Sequence, residues 1–414
     1  MPRLPNIRSR KLQPMAEIAL EESPGTRGSR RSFKDSSLQY KAKFIQAGPA
    51  ELEVLTPEWE NLVEDRALSE PFFQPYWFRS LAQTINDGRP FPLVVVRDGS
   101  TLRGILPLVR QRRLFGKLPA VTLTSLSNVH SCRYDFVCPE SDRDEIARAA
   151  WTSLKTNRHW SVIEATAVPQ GGAFESIMDH AERDGYHITR WPTLLSPYVE
   201  LPVGSSDAYK NCPARYKKDR KRLQRHFDRL KESGEPPFAV FTTFDEAIFQ
   251  EFLRLEGSGW RGKAGGAISC DPKLVKMHRD MLAGASDAGH LRICTLRVNE
   301  QCIAMELAFL IGDRCYSPKI TYNEEFARYS PGQLLARWVI EDLVKRDVSL
   351  YDLLGARARN KALWAGTVRP HANCYIFRPS IVGKFYHFLT ARFAPELKKA
   401  KYARYGDPQS IPGD

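Results

Sequence analysis

No run of eighteen apolar residues occurs in the 414-residue chain, so hydropathy offers no membrane-crossing helix, and the amino terminus has no apolar signal core. The eight cysteines stand at 132, 138, 212, 270, 294, 302, 315 and 374. None has CxxC spacing, and no Cys/His set has zinc spacing, so neither a disulfide framework nor a metal site is expected. Scattered, reduced thiols point to a cytoplasmic protein. The nine histidines are dispersed and none falls into a triad pattern. There is no G-x-S-x-G elbow and no Walker loop, so hydrolase and NTPase readings have no support.

What is present describes a globular, basic protein. Hydrophobic residues make up 42% and aromatics 11%, with a net charge of +13. That balance favours anionic partners: phosphorylated cofactors, nucleic acid or anionic membrane. Residues 1–43 carry ten Lys/Arg against four Asp/Glu and read as a disordered basic tail. Residues 381–414 read as a basic, helix-prone extension that docks either on the domain or on a membrane surface, such as its inner, cytoplasmic face.

Between the tails the pattern of elements repeats. "FPLVVVRDGSTLRGILPLV" (91–109) is strand, Asp98-Gly99 turn, strand; "LRICTLRVNEQCIAMELAFLIG" (291–312) is strand, Asn299-Glu300 turn, strand. Helical stretches precede each hairpin. A strand, a helix and a strand follow each: "YDFVC", "SDRDEIARAAWTSLK" and "WSVIEAT" first, then "CYSPKITY", "GQLLARWVIEDLVK" and "SLYDLLG". Two copies of one α/β unit, 44–200 and 201–380, account for this order. Each is a mixed, mostly antiparallel sheet flanked by helices.

The copies differ where their third strand enters a helix. The first opens with "PESDRDE", whose carboxylates suit the helix dipole but repel a phosphate. The second opens with Ser330, Pro331, Gly332 and Gln333, and its first acid is Glu341. Free N–H groups at that end can bind a phosphate, and Gly332 lets a ligand approach the backbone. Pro318 cannot donate to a sheet ladder, so it belongs at an edge or a bulge. A strand that parts from its neighbour there leaves a slot for an extended acyl arm, with Tyr316 and Lys319 flanking it.

These pieces resemble the Gcn5-related N-acyltransferase superfamily, and more narrowly its CelD-like, BioF2-like acetyltransferases. The resemblance rests on "FFQPYWFRSL", "ILPLV", "ARYKKDRKRLQRHFDRL", "LEGSGWRGKAGGAI", "SPGQLL" and "YDLLGARARNKALWAG", over roughly residues 45–378. It implies tandem units, the first degenerate and without a cofactor turn. It also resembles the Fem-type aminoacyl transferases, which pair two such units. The usual Q/R-x-x-G-x-G/A signature is not met: Arg328 precedes Gly332 by one residue too many, and the second glycine is missing.

The resemblance implies an acyl-CoA, such as acetyl-CoA, as co-substrate, held at Ser330, Gly332 and Gln333. It also implies an acceptor amine, with a hydroxyl as the alternative, on an anionic small molecule or sugar-linked compound, with a place in exopolysaccharide or cellulose synthesis. Transfer to an amine needs a base, and a carboxylate in apolar surroundings suits. Asp352 in "SLYDLLG" and Glu306 in "IAMELAFLI" are candidates on that ground; Glu256 and Trp260 come from the resemblance, over an acceptor cleft. Lys361 and Trp364 resemble the Fem-type element that meets the acceptor's phosphate. Asp352 can equally be a structural acid paired with Lys361 or an Arg of "ARARNK".

The bridging segment Arg215–Lys231 carries nine Lys/Arg against two Asp, with Tyr216, Leu223, Phe227 and Leu230 on one helical face. It recognises an anionic acceptor or is simply a solvated face. Two other readings stay open. One is a Fem-like transferase using charged tRNA; the other is a non-catalytic scaffold.

Overall fold

Two tight turns fix the hairpins. Asn299 and Glu300 both take positive φ (48° and 63°), and Gly99 takes φ of 57°, the backbone that matches the twist of paired strands. The computed structural model describes residues 39–115, 118–231 and 238–391.

The first copy runs β1 (Tyr40–Ala47), α1 (Pro49–Val63), α2 (Pro75–Thr84), β2 (Phe91–Asp98), β3 (Thr101–Phe115), β4 (Leu118–Ser125), α3 (Arg143–Thr156), β5 (Val162–Pro169), α4 (Ala173–Arg183) and β6 (His187–Glu200). Helix α5 (Lys217–Lys231) bridges. The second runs β7 (Phe238–Phe241), α6 (Glu246–Ser258), α7 (Trp260–Lys263), α8 (Pro272–Asp287), β8 (Leu291–Val298), β9 (Gln301–Ile311), β10 (Arg314–Tyr322), α9 (Pro331–Lys345), β11 (Leu350–Asp352), α10 (Arg359–Ala362) and β12 (Thr367–Phe377). Residues 381–391 form a last helix, α11. Among the described residues no helix is long and apolar enough to cross a membrane.

One twelve-stranded sheet holds both copies, in the order β1-β2-β3-β4-β5-β12-β6-β11-β10-β9-β8-β7. Read from either end the pattern is the same. Antiparallel strands lead to a parallel pair, β4 with β5 and β10 with β11. The closing strands are exchanged: β12 pairs with β5, β6 pairs with β11, and β6 and β12 pair with each other. Each copy therefore completes the sheet of the other. The equivalent helices α2 and α8 also pack together, so closely that a Cβ on Gly284 would lie 2.6 Å from Tyr76 Cβ.

Two sequence expectations need correction. Tyr40–Lys43 are not tail but the first half of β1, paired with Val95–Asp98 of β2; alternating side chains toward the core make the strand. The third strand of the first copy is Leu118–Ser125, not "YDFVC". Residues 134–138 hold only a single bridge, Val137 to Ile105. Asp135 there is committed elsewhere: its carboxylate accepts N–H bonds from Phe136, Ala173 and Phe174, capping α4. A Cβ on Gly172 would meet that carboxylate at 2.4 Å, so only glycine fits.

The larger core spans both copies, from Trp59, Phe72 and Trp77 to Phe309 and Tyr316. A second core lies under α9, where Leu335, Val339 and Trp364 meet Leu223 and Leu230 of α5. The apolar face expected for the basic helix is thus the face it buries. Its outward face exposes Lys217, Lys218, Lys221, Arg222, Arg225 and Arg229.

Candidate functional site

Strands β10 and β11 run in parallel register only from Arg314–Leu350 to Tyr316–Asp352. The register of β10 against β9 shifts between Tyr316 and Lys319, so Pro318 sits in a bulge, as a residue with no N–H must. Beyond that point β11 ends and β10 continues to Tyr322. A short 3-10 turn (Glu324–Tyr329) then delivers Ser330, in left-handed conformation (φ 55°), to the start of α9.

The first turn of α9 contains no acid. Its donors are fewer than a fully open helix end offers, because the Ser330 carbonyl accepts from both Gln333 and Leu334 N–H. Gly332 is buried beside Ile320 and Tyr322, and a Cβ there would stand at ordinary contact distance, 3.5–3.6 Å. Local packing therefore does not demand glycine. Gln333 turns its side chain inward, its Oε1 accepting from Trp364 Nε1 at 2.9 Å. Trp364 is buried in the core under α9, so it anchors the carboxy-terminal loop and offers no platform for a ring. Helix α5 borders this turn: the His226 ring nitrogen lies 3.2 Å from the Tyr329 carbonyl. Arg220 donates to the Leu363 carbonyl at 3.0 Å.

The three candidate carboxylates occupy different places. Asp352 is fully buried, held by Arg133 Nη2 at 2.8 Å, Arg369 Nη1 at 3.1 Å and the Leu354 N–H at 3.0 Å. Arg133 in turn meets Glu70 at 2.5 Å. The partners of Asp352 are thus neither Lys361 nor the "ARARNK" arginines but one residue of the first copy and one of β12. Lys361 donates instead to the Leu354 carbonyl, fixing the turn after β11. Beside them His371 contacts Arg133 at 3.4 Å, and burial with that cation lowers its pKa to about 3.

Glu256, at the end of α6, is buried. It accepts from Lys319 Nζ at 2.8 Å and from the Ile268 N–H at 2.9 Å. Two side chains proposed from different stretches therefore form one ion pair. It edges a small cavity lined also by Phe252, Gly259, Tyr322 and Glu324. A Cβ on Gly332 would stand 3.5 Å from the same Tyr322, so this cavity adjoins the α9 turn.

Glu306 lies in mid-sheet under α9, with the Tyr351 hydroxyl donating at 2.5 Å. Burial raises its pKa, against the hydroxyls of Ser317 and Tyr351. Tyr316 does not line an open slot: it is buried, and its hydroxyl donates to the Ser69 carbonyl at 3.1 Å. Trp260 opens α7, and its side chain lies outside the described residues.

Sequence reasoning missed Arg133 and Cys132. The half-buried Cys132 thiol feels the charges of Lys361, Arg133, Asp352 and Lys319, though burial dominates and raises its pKa. A cleft of about 340 Å³ is lined by Arg133 together with Arg143, Arg314, Arg369, Glu70 and Asp135. Two charges, Arg133 and Asp135, inside the otherwise apolar "SCRYDFVC" were the signal available.

Residues 217–362, from α5 to α10, match the family model described as an acetyltransferase (GNAT) domain. The match falls within the second half of the chain. No curated protein matches. Among solved structures the chain is similar to FemX, with 10% identity, a TM-score of 0.52, and coverage of 83% of this chain and 100% of that one. It also aligns with the C-terminal domain of a putative lysylphosphatidylglycerol synthetase from Agrobacterium fabrum (11% identity, TM-score 0.49, 88% and 99% covered). A tandem GNAT protein from the clavulanic acid biosynthesis pathway aligns at 14% identity, TM-score 0.42, over 82% and 100%. The FemX likeness establishes the fold, and the fold is the one expected from the order of elements.

Proposed function

We propose that the protein is an acyl-CoA-dependent N-acyltransferase acting on an anionic, small or sugar-linked amine, in the CelD-like branch of the superfamily. The observation that carries this reading is the parting of β10 from β11 at Tyr316–Asp352, followed by an acid-free helix start at Ser330–Gln333. An acyl-pantetheine arm would lie where the strands separate, hydrogen-bonded to backbone that no neighbouring strand uses. Its pyrophosphate would meet the Gly332 N–H and the dipole of α9, with the cations of α5 alongside.

The residues present fit such a donor. Acyl transfer then requires only that an acceptor amine lose a proton and attack the thioester carbonyl, the thiolate leaving as CoA. Of the three carboxylates, Glu256 is the one that edges a cavity adjoining the α9 turn. This reading gives Glu256 the proton and Lys319 the task of holding it. Asp352, saturated by two guanidinium groups and an N–H, positions the strand end.

The exposed cations of α5 favour a second reading, in which the donor is a charged tRNA. The test is thermal unfolding with acetyl-CoA, CoA, ATP and tRNA. Stabilisation by both CoA species and not by ATP, abolished in Gly332→Glu, supports the first reading. A shift with tRNA alone, steeply weakened by salt, supports the second. No shift with any ligand overturns both.

A further inference from the structure

The cleft at Arg133 belongs to both copies. Arg133 and Arg143 come from the first, and Arg314 on β10 and Arg369 on β12 come from the second. Four guanidinium groups around about 340 Å³ repel one another unless acids offset them. The acids at hand are already committed. Glu70 and Asp352 both hold Arg133, and Asp352 also serves Arg369. Asp135 spends both carboxylate oxygens on the N–H groups of Phe136, Ala173 and Phe174.

Two of the arginines therefore have no buried counter-ion. Arg143 donates to the Gly171 carbonyl at 2.9 Å. Its acid, Glu140, is 3.5 Å away with a side chain 73% exposed, a pair that solvent screens. Arg143 Nε is buried and has no hydrogen-bond partner. The guanidinium of the half-buried Arg314 makes no hydrogen bond or ion pair among the described residues. The acids that open α3 are turned to other partners: Asp142 pairs with Arg103, and Asp144 contacts His180. Buried donors are seldom left without an acceptor, and guanidinium groups bind carboxylate and phosphate oxygens best. Leu68, Phe73 and Phe136 add an apolar wall.

We infer that this cleft is a binding site for a small organic anion. Arg143 and Arg314 hold its phosphate or carboxylate, and its apolar part lies against Phe73 and Phe136. The volume is at the small end of ligand clefts, so the ligand is a compact molecule. The site needs both copies of the fold, since each supplies one of the two free guanidinium groups. This inference stands apart from the acyl-transfer reading, because none of its residues belongs to the α9 turn or to the Glu256 cavity.

The experiment is isothermal titration of the full chain with phenyl phosphate and with benzoate, at matched ionic strength. One site per chain is expected. Tighter binding of phenyl phosphate assigns the acidic group as a phosphate, and tighter binding of benzoate assigns it as a carboxylate. Arg143→Ala and Arg314→Ala should each lower the affinity about tenfold, and Arg314→Lys should recover part of the loss. The melting temperature of unliganded Arg314→Ala should be unchanged, because that guanidinium holds no partner. Gly332→Glu should bind as the wild type does. Absence of binding of both anions at millimolar concentration would overturn the inference, as would an affinity unchanged in both alanine variants. So would binding that is lost in Gly332→Glu and kept in Arg314→Ala, which would assign the anion to the α9 turn instead.

Discussion

The parallel pairs β4/β5 and β10/β11 are the same construction built twice, and their contents differ. At the first, α3 starts with Asp142 at its N-cap and Asp144 and Glu145 in its first turn, and Asp142 is paired with Arg103 at 2.7 Å. Beyond the paired residues, Ser125, Ser127 and Thr166 close the gap with hydroxyl contacts of 2.8–3.0 Å. At the second, the helix start carries no acid, and proline bulges the strand. The fold is indifferent to these choices, but an anionic ligand is not. The first copy's helix start is filled by its own acids, and that copy supplies Arg133 to Asp352 of the other.

The comparison is broken most severely at the acids that end the parallel pairs. Glu164 and Asp352 occupy equivalent register positions, opposite Thr124 and Tyr316. The side chain of Arg133, partner of Asp352, is 1% exposed, while that of Arg113, partner of Glu164, is 40% exposed. Arg133→Met should therefore cost about 3–5 kcal/mol, since it strands buried carboxylates, and Arg113→Met about 1 kcal/mol or less. Urea unfolding of the two variants measures the difference; equal losses would erase the distinction drawn here. Next in size, Glu256→Gln should lower kcat about 10²-fold or more, with little change in KM for the acyl donor. Steady-state kinetics on the acceptor, once found, reads this directly.

A smaller effect is pH-dependent. The folded pKa of His371 is depressed to about 3, while in the unfolded chain it returns to its ordinary value of 6.5. The unfolded state thus binds the extra proton, and the stability due to a neutral His371 is lost as pH falls from 6.5 toward 3. His371→Gln should flatten that part of the stability profile. Smallest is the hydroxyl triad of the first copy: Ser125→Ala should cost about 1 kcal/mol and leave CoA binding untouched, checked by melting temperature and titration.

Much of the fold was legible because hairpins, caps and helix faces are local. The Asn299-Glu300 turn, Pro318 at its bulge and the buried face of α5 all follow from short-range rules. The exchange of β6 and β12 was not legible, since nothing in either strand says which copy it will pair with. "YDFVC" reads as a strand for the same reason: the α4 N–H groups that hold its Asp135 are almost forty residues away. At the site, the turn Ser330–Gln333 was readable from its lack of acids. The pairing of Glu256 with Lys319, and of Asp352 with Arg133, needed the folded sheet to bring distant segments together. Tyr316, expected beside the slot at Pro318, and Trp364, expected from the Fem-type resemblance, are both buried in the core.

The most direct measurement is the stoichiometry of CoA binding, by isothermal titration of the full chain and of Gly332→Glu. One site per chain in the wild type and none in the variant is the result this account predicts. Two sites per chain, or a single site that survives Gly332→Glu, would contradict the claim that only the second copy has kept its anion-binding turn.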